Sequence, residues 1–145
     1  MTEEQIKNTI RGFLQALASG DISRALSFIA ENADMTVWGR TLKGKAEVQK
    51  YLTWMATNSK DGRITETGIG IITQGDTGVI EHIISGVTNG RRFEIPTACI
   101  YEFKNNKIQS VRAFSDRLTM ARQAASGLFA RWIVNSMVKA MEKGI

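Results

Sequence analysis

The chain has a single cysteine (Cys99), a single proline (Pro96) and a single histidine (His82). One thiol closes no internal disulfide, so a buried core has to hold the fold, and the usage fits a reducing, cytoplasmic setting. One imidazole and one thiol do not make the ligand set of a zinc site, and no metal or other cofactor is expected. Long apolar runs are also missing: none approaches the ~20 residues needed to cross a bilayer. The first residues, Met1-Thr2-Glu3-Glu4, are acidic and lead into no apolar segment, so no secretory signal is expected. Charge is unbalanced, at +5. Yet Lys7, Arg11, Arg24, Arg40, Lys43, Lys45, Arg63, Arg91, Arg92 and Arg112 are scattered among acids, not gathered on one face. That pattern argues against nucleic acid and leaves the charge as a solubility term.

What is present is the material of one soluble core in 145 residues. Thr2 and Gln5 form a capping box ahead of Ile6, Ile10, Phe13, Leu14 and Leu17, an apolar stripe at helical spacing that ends at Ser19-Gly20. Asp21 caps a second, short helix expected to run to about Ala30. Met35-Thr36-Val37-Trp38 reads as a short strand and residues 39–44 as a loop. Ala46 to about Thr57 reads as a third helix with Val48, Tyr51, Leu52 and Met55 on one side. Asn58 to Gly62 is a polar break, and Arg63 to Thr73 alternates as a strand.

From Gly78 to Asp116 three β-branched, apolar runs are separated by Thr88-Asn89-Gly90 and Lys104-Asn105-Asn106-Lys107. Asn-Gly accepts the positive φ of a type I′ turn, and Asn-Asn does the same less decisively. The stretch is therefore an antiparallel meander. After it, Leu118 to about Lys143 is a helical tract that Ser126-Gly127 is placed to break or kink. Its apolar stripe (Leu118, Ala121, Ala125, Leu128, Trp132 and Ser136, widened by Phe129, Ile133, Met137 and Met141) predicts packing on its own sheet or on a second subunit. The alternative is surface contact with a membrane, helped by Arg122, Arg131 and Lys139.

Taken in order, Phe13 to Asp21, Leu42 to Val48, Gly90 to Pro96, Phe103 to Ile108 and Arg112 to Asp116 resemble the nuclear transport factor two-like superfamily, and within it the SnoaL-like group. The resemblance covers residues 3–120 and implies an α+β cone: a strongly curved antiparallel sheet closed into a barrel, with helices over its concave face. It implies residues 1–120 as the cone domain and 121–145 as a helical extension packed on it or on a partner. It also implies an apolar pocket for a polyketide-, steroid- or isoprenoid-like molecule, and a homodimer through the convex sheet face. Relatives of this group include polyketide cyclases, limonene epoxide hydrolases and ketosteroid isomerases. Against the hydrolase pattern, the last-strand carboxylate is kept as Asp116. The middle-strand arginine and aspartate fall on His82 and Ile84, and the water-holding tyrosine and asparagine fall near Met35 and Val37.

In the register that the resemblance implies, Ile80, His82 and Ile84 point into the cone, with Ile95, Thr97, Cys99 and Tyr101, and with Arg112, Phe114 and Asp116. Asp116 would be the base of a cyclase or isomerase that removes a proton beside a carbonyl, its charged form disfavoured by apolar walls; the other reading is a cap on the last helix. His82 would orient or shuttle the proton, or else be a satisfied core imidazole. Tyr101 or Trp38 would donate to a developing oxyanion, or simply pack. Arg112 would hold Asp116 ionised, or lie on the surface. Cys99 reads as packing, since reactive thiols sit in electropositive, partly exposed places. The expected alternative to an enzyme is a non-catalytic ligand-binding or dimerisation module.

Overall fold

A computed structural model describes residues 1–125 and 127–143, so Ser126 of the expected helix break lies outside the described residues. The elements in order are α1 (Glu3–Ala18), α2 (Ile22–Ser27), β1 (Ile29–Val37), β2 (Arg40–Lys43), α3 (Gly44–Asn58) and β3 (Lys60–Gln74). They are followed by β4 (Thr77–Thr88), β5 (Arg91–Lys104), β6 (Lys107–Ser115), α4 (Arg117–Ala124) and α5 (Leu128–Glu142). One six-stranded sheet has the order β2-β1-β6-β5-β4-β3, curved but unclosed, so the expected barrel is an open cone. Every pairing is antiparallel except β1 with β6.

The local chemistry accounts for most of these elements. Gln5 N–H donates to Thr2 Oγ1 at 3.2 Å and Thr2 N–H to Gln5 Oε1 at 2.9 Å, closing the capping box. Ile6, Ile10, Phe13 and Leu14 then turn α1 onto the concave face of the sheet. Gly78 on β4 permits that approach: a Cβ there would stand 2.5 Å from Ile10 Cδ1. Asp21 caps α2 by accepting from Arg24 N–H at 2.9 Å.

Three expectations about the first half need correction. α2 stops at Ser27 because Ile29 already pairs with Ile108 on β6, and the Phe28 carbonyl accepts from Ile108 N–H at 2.8 Å. Residues 40–43 are a strand, not loop, pairing with β1 so that the Thr36 and Thr41 hydroxyls meet at 2.9 Å. β3 starts at Lys60, inside the expected polar break.

The two hairpins of the meander are as expected, with positive φ at Asn89 and Gly90 (49° and 75°) and at Asn105 and Asn106 (51° and 60°). Beyond the second hairpin the register changes. Phe103 faces Ile108, but Glu102 faces Ser110, so Gln109 is an extra residue in β6. Its side chain donates to the Asn32 carbonyl at 2.9 Å, which pins the bulge to β1. Because strand side chains alternate, this one residue exchanges the faces of everything after it. Val111, Ala113 and Ser115 therefore share the concave face with Cys99 and Tyr101, whereas Arg112 and Phe114 turn to the convex face.

The C-terminal tract is two helices. Asp116 caps α4, which lies against β5, and Gly127 (φ 86°) separates it from α5. Among the described residues α4 is the principal neighbour of α5, and within the tract it is α4 that packs on the sheet.

Candidate functional site

The concave face, α1, α3 and α4 enclose a cavity of about 580 Å³. Its closed end is apolar: Phe13 meets Tyr101 edge-on at 6.0 Å, backed by Leu14, Met35 and Val111. Leu52 and Met55 of α3 and Ile64, Ile84 and Ile95 of the sheet continue the wall. Such a lining with a few placed polar groups is the ordinary make-up of a small-molecule site.

Those polar groups form a row across three strands. His82 on β4 is opposite Thr97 on β5, and Thr97 is opposite Ser115 on β6. The Thr97 and Ser115 hydroxyls are 3.0 Å apart, and Thr97 Oγ1 also donates to the Ile95 carbonyl at 3.3 Å. His82 is 2% exposed, and its Nδ1 is buried with no hydrogen-bond partner. Burial pushes its pKa down to about 4, so the ring is neutral at neutral pH. A neutral imidazole has one N–H and one lone pair, and an orphaned buried donor costs more than an orphaned lone pair. We therefore assign the proton to Nε2. The row then offers an imidazole N–H and two rotatable hydroxyls to whatever enters.

Deeper in, Cys99 and Tyr101 stand two residues apart on the same face of β5. Burial pushes the thiol up to about 11 and the phenol well above its ordinary range, so both stay protonated. At the mouth, Trp38 stands edge-on to Tyr51 (5.9 Å) and to Trp54 (6.0 Å), while Tyr51 and Trp54 stack at 6.2 Å. Trp38 has φ 51°, an outlier for a bulky side chain, forced by the tight β1–β2 turn it shares with Gly39. Burial raises the Tyr51 phenol to about 12.

Of the residues expected in the site, His82, Ile84, Thr97, Cys99, Tyr101 and Trp38 line this cavity together. Asp116, Arg112 and Phe114 do not, and the Gln109 bulge is the reason. Asp116 Oδ1 accepts from the Leu118 and Thr119 N–H groups at 3.0 Å each, and Oδ2 from the Thr119 hydroxyl. These bonds, the Thr119 hydroxyl first, hold its pKa below the ordinary carboxylate value, opposite to what a buried base requires. Arg112 pairs with Glu102 at 2.7 Å on the convex face, away from Asp116. Phe114 is 60% exposed there. Among the described residues no carboxylate lines the cavity.

Sequence reasoning missed Ser115, Trp54, Met120 and Gln123, and placed Tyr51 only in a helical stripe. For Ser115 a signal exists: Ile108 and Val111 are both buried, and their spacing of three breaks the strand period of two.

The chain belongs to the SnoaL-like domain family, whose model matches residues 10–111. No curated protein sequence matches it. Among solved structures it is similar to a putative SnoaL-like polyketide cyclase from Jannaschia sp. CCS1 (TM-score 0.77, 10% identity, 87% of this chain and 95% of that one). An LEH-like epoxide hydrolase from M. tuberculosis gives a TM-score of 0.73 at 16% identity, over 90% of this chain and 96% of the other. A hypothetical protein with a ketosteroid isomerase-like fold from Catenulispora acidiphila DSM 44928, in complex with trimethylamine, gives a TM-score of 0.73 at 15% identity, over 82% of this chain and 93% of that one. At these identities the likeness establishes the fold alone.

Proposed function

We propose that the protein binds a small hydrophobic molecule of polyketide, steroid or isoprenoid type, oriented by a carbonyl or hydroxyl oxygen on the His82–Thr97–Ser115 row. The observation that carries this reading is an apolar cavity of about 580 Å³ crossed by one polar row and lined by no carboxylate among the described residues. Walls of this kind favour any apolar body of suitable size, so the row supplies the discrimination. The test is titration of the protein with a polycyclic ketone and with the matching hydrocarbon, followed by the emission of Trp38 and Trp54 at the mouth. The ketone is expected to bind about tenfold more tightly, the worth of one buried hydrogen bond, and His82→Leu to erase the difference. Equal affinity for ketone and hydrocarbon in the native protein would sink the reading.

A homodimer through the convex face accompanies it, supported by Phe114 and Ile72, which are 60% and 51% exposed. Sedimentation of Phe114→Glu checks this, and an unchanged dimer would place the interface elsewhere.

Proton-transfer catalysis is the second reading, favoured by a neutral imidazole set beside two hydroxyls. With a pKa of about 4, His82 is a weak base. It suits only an already acidic C–H, such as the carbon between two carbonyls of a polyketide. Deuterium exchange at that carbon, unaffected by His82→Leu, would remove catalysis and leave the ligand-binding module.

A further inference from the structure

We propose that α5 and the mouth of the cone together form a docking face for an anionic lipid surface. α5 turns Ala130, Val134 and Val138 inward, with Val138 buried. The adjoining face is open. Phe129, Trp132 and Met137 are 75%, 66% and 52% exposed, with Ile133 between them. Phe129 and Trp132 stack on each other at 6.3 Å in solvent. The third side of the helix carries Arg131, Asn135 and Lys139, all exposed. Aromatic and aliphatic side chains beside a basic flank are what a helix lying in a lipid interface presents.

Charge selects the occupant. Residues 1–116 hold 14 basic and 13 acidic side chains and are nearly neutral, whereas residues 117–145 hold five basic and one acidic. Almost the whole excess therefore sits on the tract that bears the open stripe. Two copies of α5 laid face to face would bring like charges together, which disfavours a second copy as the cover. Nucleic acid would use the charge and leave the stripe in water. An anionic bilayer satisfies both.

Position supports the same partner. Arg91, on the hairpin at the mouth, donates to the Ala125 carbonyl at 2.8 Å and so fixes the chain just before α5 begins. Trp38 and Trp54, 38% and 51% exposed, and the exposed Arg91 and Arg92 line that opening, with the exposed Arg40 two residues after Trp38 in the chain. A mouth held against lipid would admit an apolar ligand without passage through water. That consequence rests on the proposed ligand; docking itself does not.

The test is flotation of the full chain with phosphatidylcholine vesicles and with vesicles containing one quarter phosphatidylglycerol. Partitioning at least about tenfold stronger to the anionic vesicles, lost in high salt, is expected. Trp132→Glu should abolish flotation while leaving the melting temperature and ligand titration unchanged, and Arg131→Gln with Lys139→Gln should weaken it severalfold. Absence of flotation, equal binding to neutral vesicles, or full binding by Trp132→Glu overturns the proposal. So does a Trp132→Glu protein that loses a dimer and whose parent never floats, which would give the stripe to a second copy.

Discussion

The side-chain amide of Gln123 stands in for a neighbouring strand at Glu94: its Oε1 accepts from the Glu94 N–H at 2.8 Å and its Nε2 donates to the Glu94 carbonyl at 2.9 Å. β6 ends at Ser115, opposite Thr97, so the first residues of β5 lack a strand on that side. α4 covers this edge and brings Met120 and Gln123 to the cavity. Gln123→Ala leaves both backbone groups to water. A stability loss of about 1 kcal/mol is expected, with faster hydrogen exchange at the Glu94 amide. Unchanged exchange there would mean that α4 is held by other contacts.

His82 makes stability depend on pH in a predictable direction. Its folded pKa of about 4 lies below the ordinary 6.5, so the unfolded chain takes up the proton first. Stability is therefore full above pH 6.5 and falls as pH drops towards 4, by up to about 1.4 kcal/mol per pH unit. His82→Leu removes that slope and, having no orphaned nitrogen, is expected to be no less stable at pH 7. Urea denaturation of both proteins at pH 7 and pH 5 measures it; parallel losses would place the titrating group elsewhere.

Asp116 has the same sign, in a lower pH window. Its folded pKa is lowered, so its contribution is present above the ordinary carboxylate value and is lost as pH falls through the lowered one. Asp116→Ala removes the cap of α4, and a melting temperature a few degrees lower at pH 7 is the expected result. Ligand affinity should change only modestly, through Met120 and Gln123. Complete loss of binding with unchanged melting would restore this carboxylate to the site.

Gly78→Ala tests the seating of α1. The new Cβ would meet Ile10 Cδ1 at 2.5 Å and Ile6 Cγ2 at 3.0 Å, both on fully buried side chains with no room to retreat. A loss of about 1–3 kcal/mol is expected by chemical denaturation. A neutral result would show that α1 can slide on the sheet.

How much of this was legible in the sequence depends on the range of the interaction involved. Thr2, Gln5, Asp21, Asn89-Gly90 and Asn105-Asn106 act on backbone within a few residues of themselves, and each sits where its local chemistry puts it. β4 and β5, tied by that first hairpin, carry His82, Thr97, Cys99 and Tyr101 on the expected face. Ile29 and residues 40–43 were misread because their partners, Ile108 and β1, are set by pairing that no local propensity specifies. Asp116 was readable as a base or as a cap, and only the register of β6 separates the two. That register turns on Gln109, whose anchoring carbonyl at Asn32 is 77 positions away in the chain.

The extra residue at Gln109 also sets how this interior can evolve. Loss of its codon would leave the end of β6 paired as it is, Tyr101 with Val111, Cys99 with Ala113 and Thr97 with Ser115, because the residue removed is the unpaired one. Straightening of the bulge with Gln109 kept would instead slide the end of β6 by one step and exchange its two faces. Arginine, phenylalanine and a terminal aspartate would then turn inward where valine, alanine and serine now stand. A lineage carrying this cone can therefore exchange a hydroxyl-lined interior for a carboxylate-bearing one by releasing the contact at Asn32 that holds Gln109 out of register, with every side chain on the meander already encoded for both.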